Sequence, residues 1–347
     1  MRLFSSFALL AAGVPATLGK ACMDKGQWDV LNPIPFAPRQ EHSVVALSDS
    51  EIVVVGGILP NPDTGVGFNT TSIIQLYDTV SDSWTTLTSA PIQVNHPNVA
   101  AVDGQIYLLG GLAVAPNGTW QAFPDSWKYN RETDEWTALE ALPAGRETGS
   151  AAVGVVGRSI FLAGGMRTLE PIGIEGKQET VDYVSAFDLE SSSWIPLPDL
   201  ASCLPEGRDH AAAAVIDDKF YVIGGRLCGQ YNVKDTVFML DANNLEGGWV
   251  VQPSRMPTAR GGLTGAAVGE KVYVFGGEGN PEEGSEGVFD NVEVYDASQD
   301  VWQQLKPMRL PRHGGAAVSI GGRIHLPGGG TREGASPVDA NDVFVIR

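Results

Sequence analysis

The chain is poor in cysteine, in positive charge and in long apolar runs, and each shortage removes a class of protein. Three cysteines, Cys22, Cys203 and Cys228, in 347 residues are too few for a disulfide-dense scaffold. One bridge and one spare thiol is the simplest count. Lysine and arginine number 23 against 41 acids, a formal charge of −18, so nucleic acid and anionic membrane surfaces are repelled at long range. No apolar run reaches the roughly 20 residues that span a bilayer. Apolar residues at helical spacing are missing as well. What is abundant is glycine, 42 residues, with 22 prolines and a 43% hydrophobic share, a profile that fits an ordered globular protein.

The first residues, MRLFSSFALLAAGVPATLGKAC, combine Arg2, an apolar run from Leu3 to Val14, and small residues at Gly19 and Ala21. They read as a secretory leader over residues 1–19, leaving 20–347 as the mature protein. Delivery to the secretory lumen or the outside agrees with two glycan acceptor triplets, at Asn69 and Asn117.

Self-similarity dominates the rest. The stretches IVVVGG, IYLLGG, IFLAGG, FYVIGG, VYVFGG and IHLPGG place glycine doublets at 56, 110, 164, 224, 276 and 328. A variable loop follows each doublet. In four copies an aromatic (Tyr77, Tyr129, Phe187, Tyr295) then precedes a tryptophan (Trp84, Trp136, Trp194, Trp302) by seven residues, and the fourth copy substitutes Leu240 and Trp249 after a two-residue insertion. Each copy reads as four short strands, the second β-branched and running into the glycines. The doublets let backbone and rings approach where a Cβ would collide.

Doublet glycine followed by spaced tyrosine and tryptophan resembles the kelch repeat, and the resemblance runs from about Gly26 to Arg347. It implies an all-β fold: a six-bladed β-propeller whose four-stranded blades surround a channel. The sixth copy ends in DVFVIR with no tryptophan strand. The segment GQWDVL around Trp28 matches the missing piece, so the N-terminal strand is expected to complete the last blade and close the ring.

In such propellers ligands bind on the face where the post-glycine loops and inter-blade segments gather. Arg39, Arg146, Arg208, Arg260 and Arg312 recur in those segments. They either form a positive ring for a carboxylate, phenolate or sugar oxygen, or act as structural residues paired with acids such as Glu41, Glu147 or Asp209. His42, His96 and His210 lie fourteen residues before their doublets and His313 fifteen, so up to four imidazoles approach the channel from the innermost strands. They either serve chemistry or are satisfied by backbone. His325 reads as structural. Phe68, Trp120, Phe123, Leu227, Tyr231 and Phe289 are candidates for an apolar pocket. Cys203 precedes the fourth blade and Cys228 follows its glycines, which suggests a disulfide between them.

In length, leader, blade count and glycan sites the chain is similar to small exported fungal kelch proteins, some of which are hetero-Diels–Alderases making tropolone sesquiterpenoids. That resemblance implies a monomeric, cofactor-free and metal-free enzyme joining a quinone methide to a terpene at the propeller mouth. His210, His313 or His42 would move the proton, and Arg208, Arg260 and Arg312 would stabilise the oxyanion. Arg39, Arg146, His96, Trp120, Phe123 and Tyr231 would bind the substrate. A secreted glycan- or peptide-binding propeller is the alternative, and a sugar epimerase or mutarotase a third. A copper radical oxidase of the galactose oxidase kind is disfavoured, because the sequence has no Tyr-His dipeptide.

Overall fold

The computed structural model describes residues 26–347; the expected leader and Cys22 lie outside the described residues. Six antiparallel sheets each contain four blade strands; in five of them the order follows the chain from the innermost strand to the outermost, and in the sixth the N-terminal strand takes the outermost place. Blade 1, for example, runs Ser43–Ala46, Glu51–Val55, Ile74–Asp78 and Ser83–Leu87. Among the described residues the only helical turn is Leu245–Gly247, and no helix is long and apolar enough to cross a membrane.

The repeated aromatics are cross-strand partners. Tyr77 faces Trp84, Tyr129 faces Trp136, Phe187 faces Trp194, Leu240 faces Trp249 and Tyr295 faces Trp302. Period-two alternation buries the third-strand ring between blades, and each fully buried aromatic stabilises the fold by roughly 1.5–3 kcal/mol. The tyrosine hydroxyls reach an acid five residues on: Tyr77 donates to Asp82 at 2.6 Å and Tyr295 to Asp300 at 2.7 Å. Within the doublets, Gly56 has φ +63° and a Cβ there would stand 2.5 Å from the Val94 carbonyl, so only glycine fits.

The closing strand is where the repeat requires it. Gly26–Val30 pairs with Asn341–Ile346, Trp28 opposite Phe344, and the sheet order is N-terminal strand, last strand, Arg323–Pro327, Val318–Ile320. Trp28 packs on Phe344 and Phe275 with centroids 5.0 and 5.7 Å apart.

One departure bears on function. The stretch after the second doublet, expected as a loop, is a hairpin: the second and third strands of blade 2 lengthen to Gln105–Val114 and Trp120–Asn130. A further hairpin from blade 3, Met166–Glu170 with Lys177–Thr180, pairs with it through Trp120 and Leu169. Ile58, Phe68, Leu112, Trp120, Met166 and Leu169 thereby form one buried apolar cluster apart from the inter-blade cores.

Candidate functional site

Around the propeller axis the chain makes a second ring, built from one residue per blade: Glu41, His96, Ser150, His210, Gly262 and Gly314. All six have left-handed backbone, φ 52°, 49°, 56°, 53°, 61° and 56° in that order. Their hydrogen bonds pass from blade to blade. His96 N donates to Glu41 O, Ser150 N to His96 O, Gly262 N to His210 O, Gly314 N to Gly262 O and Glu41 N to Gly314 O, while His210 N reaches Ser150 Oγ. Glycine is the inexpensive occupant of such a position. Glu41, His96 and His210 each hold a conformation that costs of order 1–3 kcal/mol. Their side chains meet on the axis.

His96 Nε2 lies 2.9 Å from Glu41 Oε2 and 2.9 Å from His210 Nε2. His210 Nδ1 is held by Asp209 Oδ1 at 2.6 Å and His96 Nδ1 by Asn95 Oδ1 at 2.7 Å. Arg226 extends the network, with Nη2 2.9 Å from His210 Nε2, Nε donating to Asp209 at 3.2 Å and Nη1 to Glu278 at 2.5 Å and to Gln230 at 2.6 Å. His313 Nδ1 stands 3.2 Å from Glu278 Oε2, in ion-pair range though off the line of a good hydrogen bond.

Burial and charge oppose each other throughout. Burial would raise the Glu41 carboxyl, but the neighbouring His96, His210 and His313 hold it well below the usual carboxylate range. Glu278 is likewise held low against burial by His313 and Arg226. Burial pushes His210 down, helped by Arg226. For His313 burial is outweighed by Glu278 and Glu41, and its pKa rises. Glu333, partly buried and near Glu278, keeps its proton above the ordinary glutamate range.

Glu41, His96 and His210 separate two spaces. On one side is the axial channel, about 190 Å³, lined by small residues with His42 and Ser43. On the other is a loop-face cavity of about 360 Å³, which the trio shares with Phe68, Trp120, Met166, Arg226, Glu278 and Glu333. Its two-sided character follows from the residue after each doublet, which bridges to the residue before the hub ring. At that position blades 1 to 3 carry Ile58, Leu112 and Met166 and blades 4 to 6 Arg226, Glu278 and Gly330, and of these Ile58, Met166, Arg226 and Glu278 line the cavity. One half is apolar, the other charged.

Of the expected site residues, His96, His210, Phe68 and Trp120 line this cavity. The others do not. Arg39, Arg208, Arg260 and Arg312 are buried within blades. Arg39 donates to Gly56 O at 2.8 Å and to Gln75, and Arg260 to Gly276 O at 2.6 Å and to Glu293 at 2.7 Å. Arg312 pairs with Asp342 at 2.9 Å, and Arg208 with Glu206 at 2.8 Å over the Phe238 ring. These four are therefore held inside the blades and form no ring lining the cavity, and their partners are these groups rather than the expected Glu41 or Asp209. Arg146 lies over the ring of Tyr183, 5.2 Å from its centroid.

His42 is one residue past the hub ring: it lines the channel, bonds Pro327 O at 2.9 Å, and is pushed down to about 3 mainly by burial. His313 is one residue before the ring and lies behind the cavity wall, bonding Arg332 O at 2.8 Å. Phe123 is packed in the core between blades 1 and 2, Phe289 is also buried, and Tyr231 is 62% exposed. Neither these three nor Leu227 lines the cavity. Cys203 and Cys228 are exposed free thiols, so the expected disulfide is absent. Asn69 and Asn117 are exposed.

Arg226, Glu278 and Glu333 are not among the expected site residues, and Glu41 is expected only as a structural partner for an arginine. Glu41 had a signal: it stands two residues after the repeat arginine Arg39, as His210, Gly262 and Gly314 do after Arg208, Arg260 and Arg312.

Comparison with known proteins agrees with the repeat. Residues 143–329 match the KLHDC2/KLHL20/DRC7 Kelch-repeats domain and residues 95–143 the Kelch motif. Kelch-like protein terF of Aspergillus terreus is 40% identical over 333 residues, covering 94% of this chain and 70% of that protein. Kelch-like protein 23 of Homo sapiens is 25% identical over 304 residues, 87% of this chain but 46% of its own. The solved structure titled "Structure of YjhT" superposes with a TM-score of 0.70 over 90% of this chain at 18% identity, a likeness of fold alone. Six blades, repeated doublets, facing aromatics and these matches together make the chain a member of the kelch-repeat family.

Proposed function

We propose that this chain is a small-molecule enzyme of secondary metabolism, and that its loop-face cavity joins a quinone methide to an apolar alkene in a hetero-Diels–Alder cyclisation. The observation that carries this reading is one cavity of about 360 Å³ with an apolar wall and a wall of proton-exchanging groups. Such a site suits two unlike reactants held together.

An ortho-hydroxybenzyl alcohol would present its phenol to Glu41, His96 and His210, which take the proton, while Glu333 protonates the benzylic hydroxyl. The carbon–oxygen bond breaks, water leaves and the quinone methide remains. Its exocyclic carbon and its oxygen then add across the alkene, forming one C–C and one C–O bond with no further proton or electron. Phe68, Trp120, Met166 and Leu169 would hold the alkene, and juxtaposition in near-attack geometry can contribute roughly 7–11 kcal/mol. The similarity to a fungal kelch-like protein supports the setting. The exposed acceptors Asn69 and Asn117 support action in the secretory lumen or outside the cell.

The test uses purified protein, 2-hydroxybenzyl alcohol as probe and oxygen-18 water. The benzylic oxygen should exchange with solvent faster than without protein, a trisubstituted alkene should trap a chroman adduct, and Glu333→Gln should slow exchange by about 100-fold. Probe binding without exchange would replace the cyclase with a binding module.

A further inference from the structure

We propose that Glu41, His96 and His210 bind one divalent transition-metal cation of the zinc or iron type. The inference uses the same three side chains, which as metal ligands would not themselves take the phenol's proton, and it does not depend on the cyclase reading.

It starts from donors and acceptors. The Nδ1–H of His210 is taken by Asp209 at 2.6 Å. Asn95 donates Nδ2 to Thr70 at 2.9 Å, which turns its Oδ1 toward His96 Nδ1 at 2.7 Å. A neutral imidazole carries one N–H, so with Nδ1 committed each Nε2 presents a lone pair. Glu41 Oε1 already accepts from Gln40 at 2.9 Å, leaving Oε2 facing His96. Three acceptors thus converge; His210 Nε2 meets Arg226 Nη2 at 2.9 Å, and buried acceptors that lack a compensating partner are costly.

The spacing fits a cation. Nε2 of His96 is 2.9 Å from Glu41 Oε2 and 2.9 Å from His210 Nε2, and His210 Nε2 is 4.0 Å from Glu41 Oε2. With metal–ligand bonds of about 2.0–2.2 Å, tetrahedral ligand atoms lie about 3.3–3.6 Å apart, so side-chain shifts of under about 1 Å would bring these three atoms onto one cation. Two imidazoles and one carboxylate with open positions suit zinc or ferrous iron. The Asp209–His210 contact is the carboxylate–histidine support that metal-bound imidazoles usually have.

Two further observations point the same way. All three ligands occupy strained left-handed positions where blades 5 and 6 use glycine, so the fold keeps them at a cost to stability. Trp120 packs edge-on to His96 at 5.1 Å, and its buried Nε1 has no partner among the described residues. A water or substrate oxygen on the cation would be the acceptor it lacks. Arg226 is the competitor, since its Nη2 contacts His210 Nε2 at 2.9 Å. It makes no ion pair with Glu41, and Asp209, Glu278 and Gln230 hold it when that contact is given up.

Tag-free, chelator-stripped protein is dialysed against Zn²⁺ and, separately, Co²⁺, with metal measured by elemental analysis and cobalt ligation by visible absorption. One equivalent per chain is expected, with cobalt bands of histidine ligation. Glu41→Gln and His96→Asn should each weaken uptake at least 100-fold, Asp209→Asn by about 10- to 100-fold, and Arg226→Gln should tighten it. Circular dichroism and melting identify any variant that fails to fold, and the wild-type cobalt spectrum stands independently of the variants. Uptake below half an equivalent, a spectrum without histidine bands, or uptake unchanged in folded Glu41→Gln and His96→Asn would overturn the site. Metal uptake is read without turnover, so an inactive protein that binds cobalt through these residues would sink the cyclase reading and leave this one standing.

Discussion

Arg39, Arg208, Arg260 and Arg312 show how one residue type can look functional in a sequence and be structural in the fold. Each guanidinium ties the inner edge of its blade to that blade's own strands or connections, by carbonyls or by a partner such as Gln75, Glu293 or Asp342. Arg226, which follows a doublet rather than preceding an inner strand, is the one that reaches the cavity. The Arg260–Glu293 pair gives the structural role a magnitude, because both side chains are fully buried at 2.7 Å. Glu293→Gln leaves the guanidinium buried without its counter-charge, and breaking such a pair costs about 3–5 kcal/mol. Urea unfolding should show that loss with zinc uptake unchanged. A loss under about 1 kcal/mol would mean that the carbonyls alone satisfy Arg260.

At the scale of elements, the closing strand Gly26–Val30 supplies the tryptophan that the sixth repeat lacks, and Trp28 sits where Trp84 and Trp302 sit in their own blades. Trp28→Ala should cost about 3–5 kcal/mol, the usual range for emptying a large aromatic site. It should also speed unfolding, since the seam between the termini is the one place where the ring is not covalently continuous. A melting temperature unchanged within a degree would show that the ring holds without this ring-to-ring contact. The strand was legible because period and motif are local properties of the chain. The hub ring was less so: Glu41 lies fifteen residues before its doublet where the other five hub residues lie fourteen before theirs, because the first hairpin of blade 1 holds one extra residue. Counting back from the glycines therefore selects His42 and misses Glu41. The apolar wall was hidden for another reason, since it depends on the pairing of Trp120 with Leu169 across two repeats, which neither repeat announces.

For the whole molecule, the residues after the doublets were in plain view as Ile58, Leu112, Met166, Arg226, Glu278 and Gly330, but their sorting into an apolar and a charged half has meaning only once six blades close a circle. Closure also gathers ionisable groups into the interior, and this sets the acid stability of the protein. Burial pushes His42 down to about 3 and His325 to about 4, and lowers His210 as well. An unfolded histidine titrates near 6.5, so below that pH the unfolded chain binds protons that the folded chain refuses, and stability falls as pH drops. Each histidine kept fully neutral costs about 2 kcal/mol by pH 5. His313 acts in the opposite sense: its raised pKa contributes stability below about 6.5 that is lost as pH rises through the folded value. Glu41 and Glu278, held low, contribute stability above the ordinary glutamate range and lose it only at more acidic pH. Between pH 7.5 and 5 three depressed histidines oppose one raised, so unfolding free energy should drop by at least about 2 kcal/mol. Urea titrations in the presence of chelator should show it, with the drop smaller in His325→Gln. A stability that rose on acidification would mean that His42, His210 and His325 are not held neutral by burial.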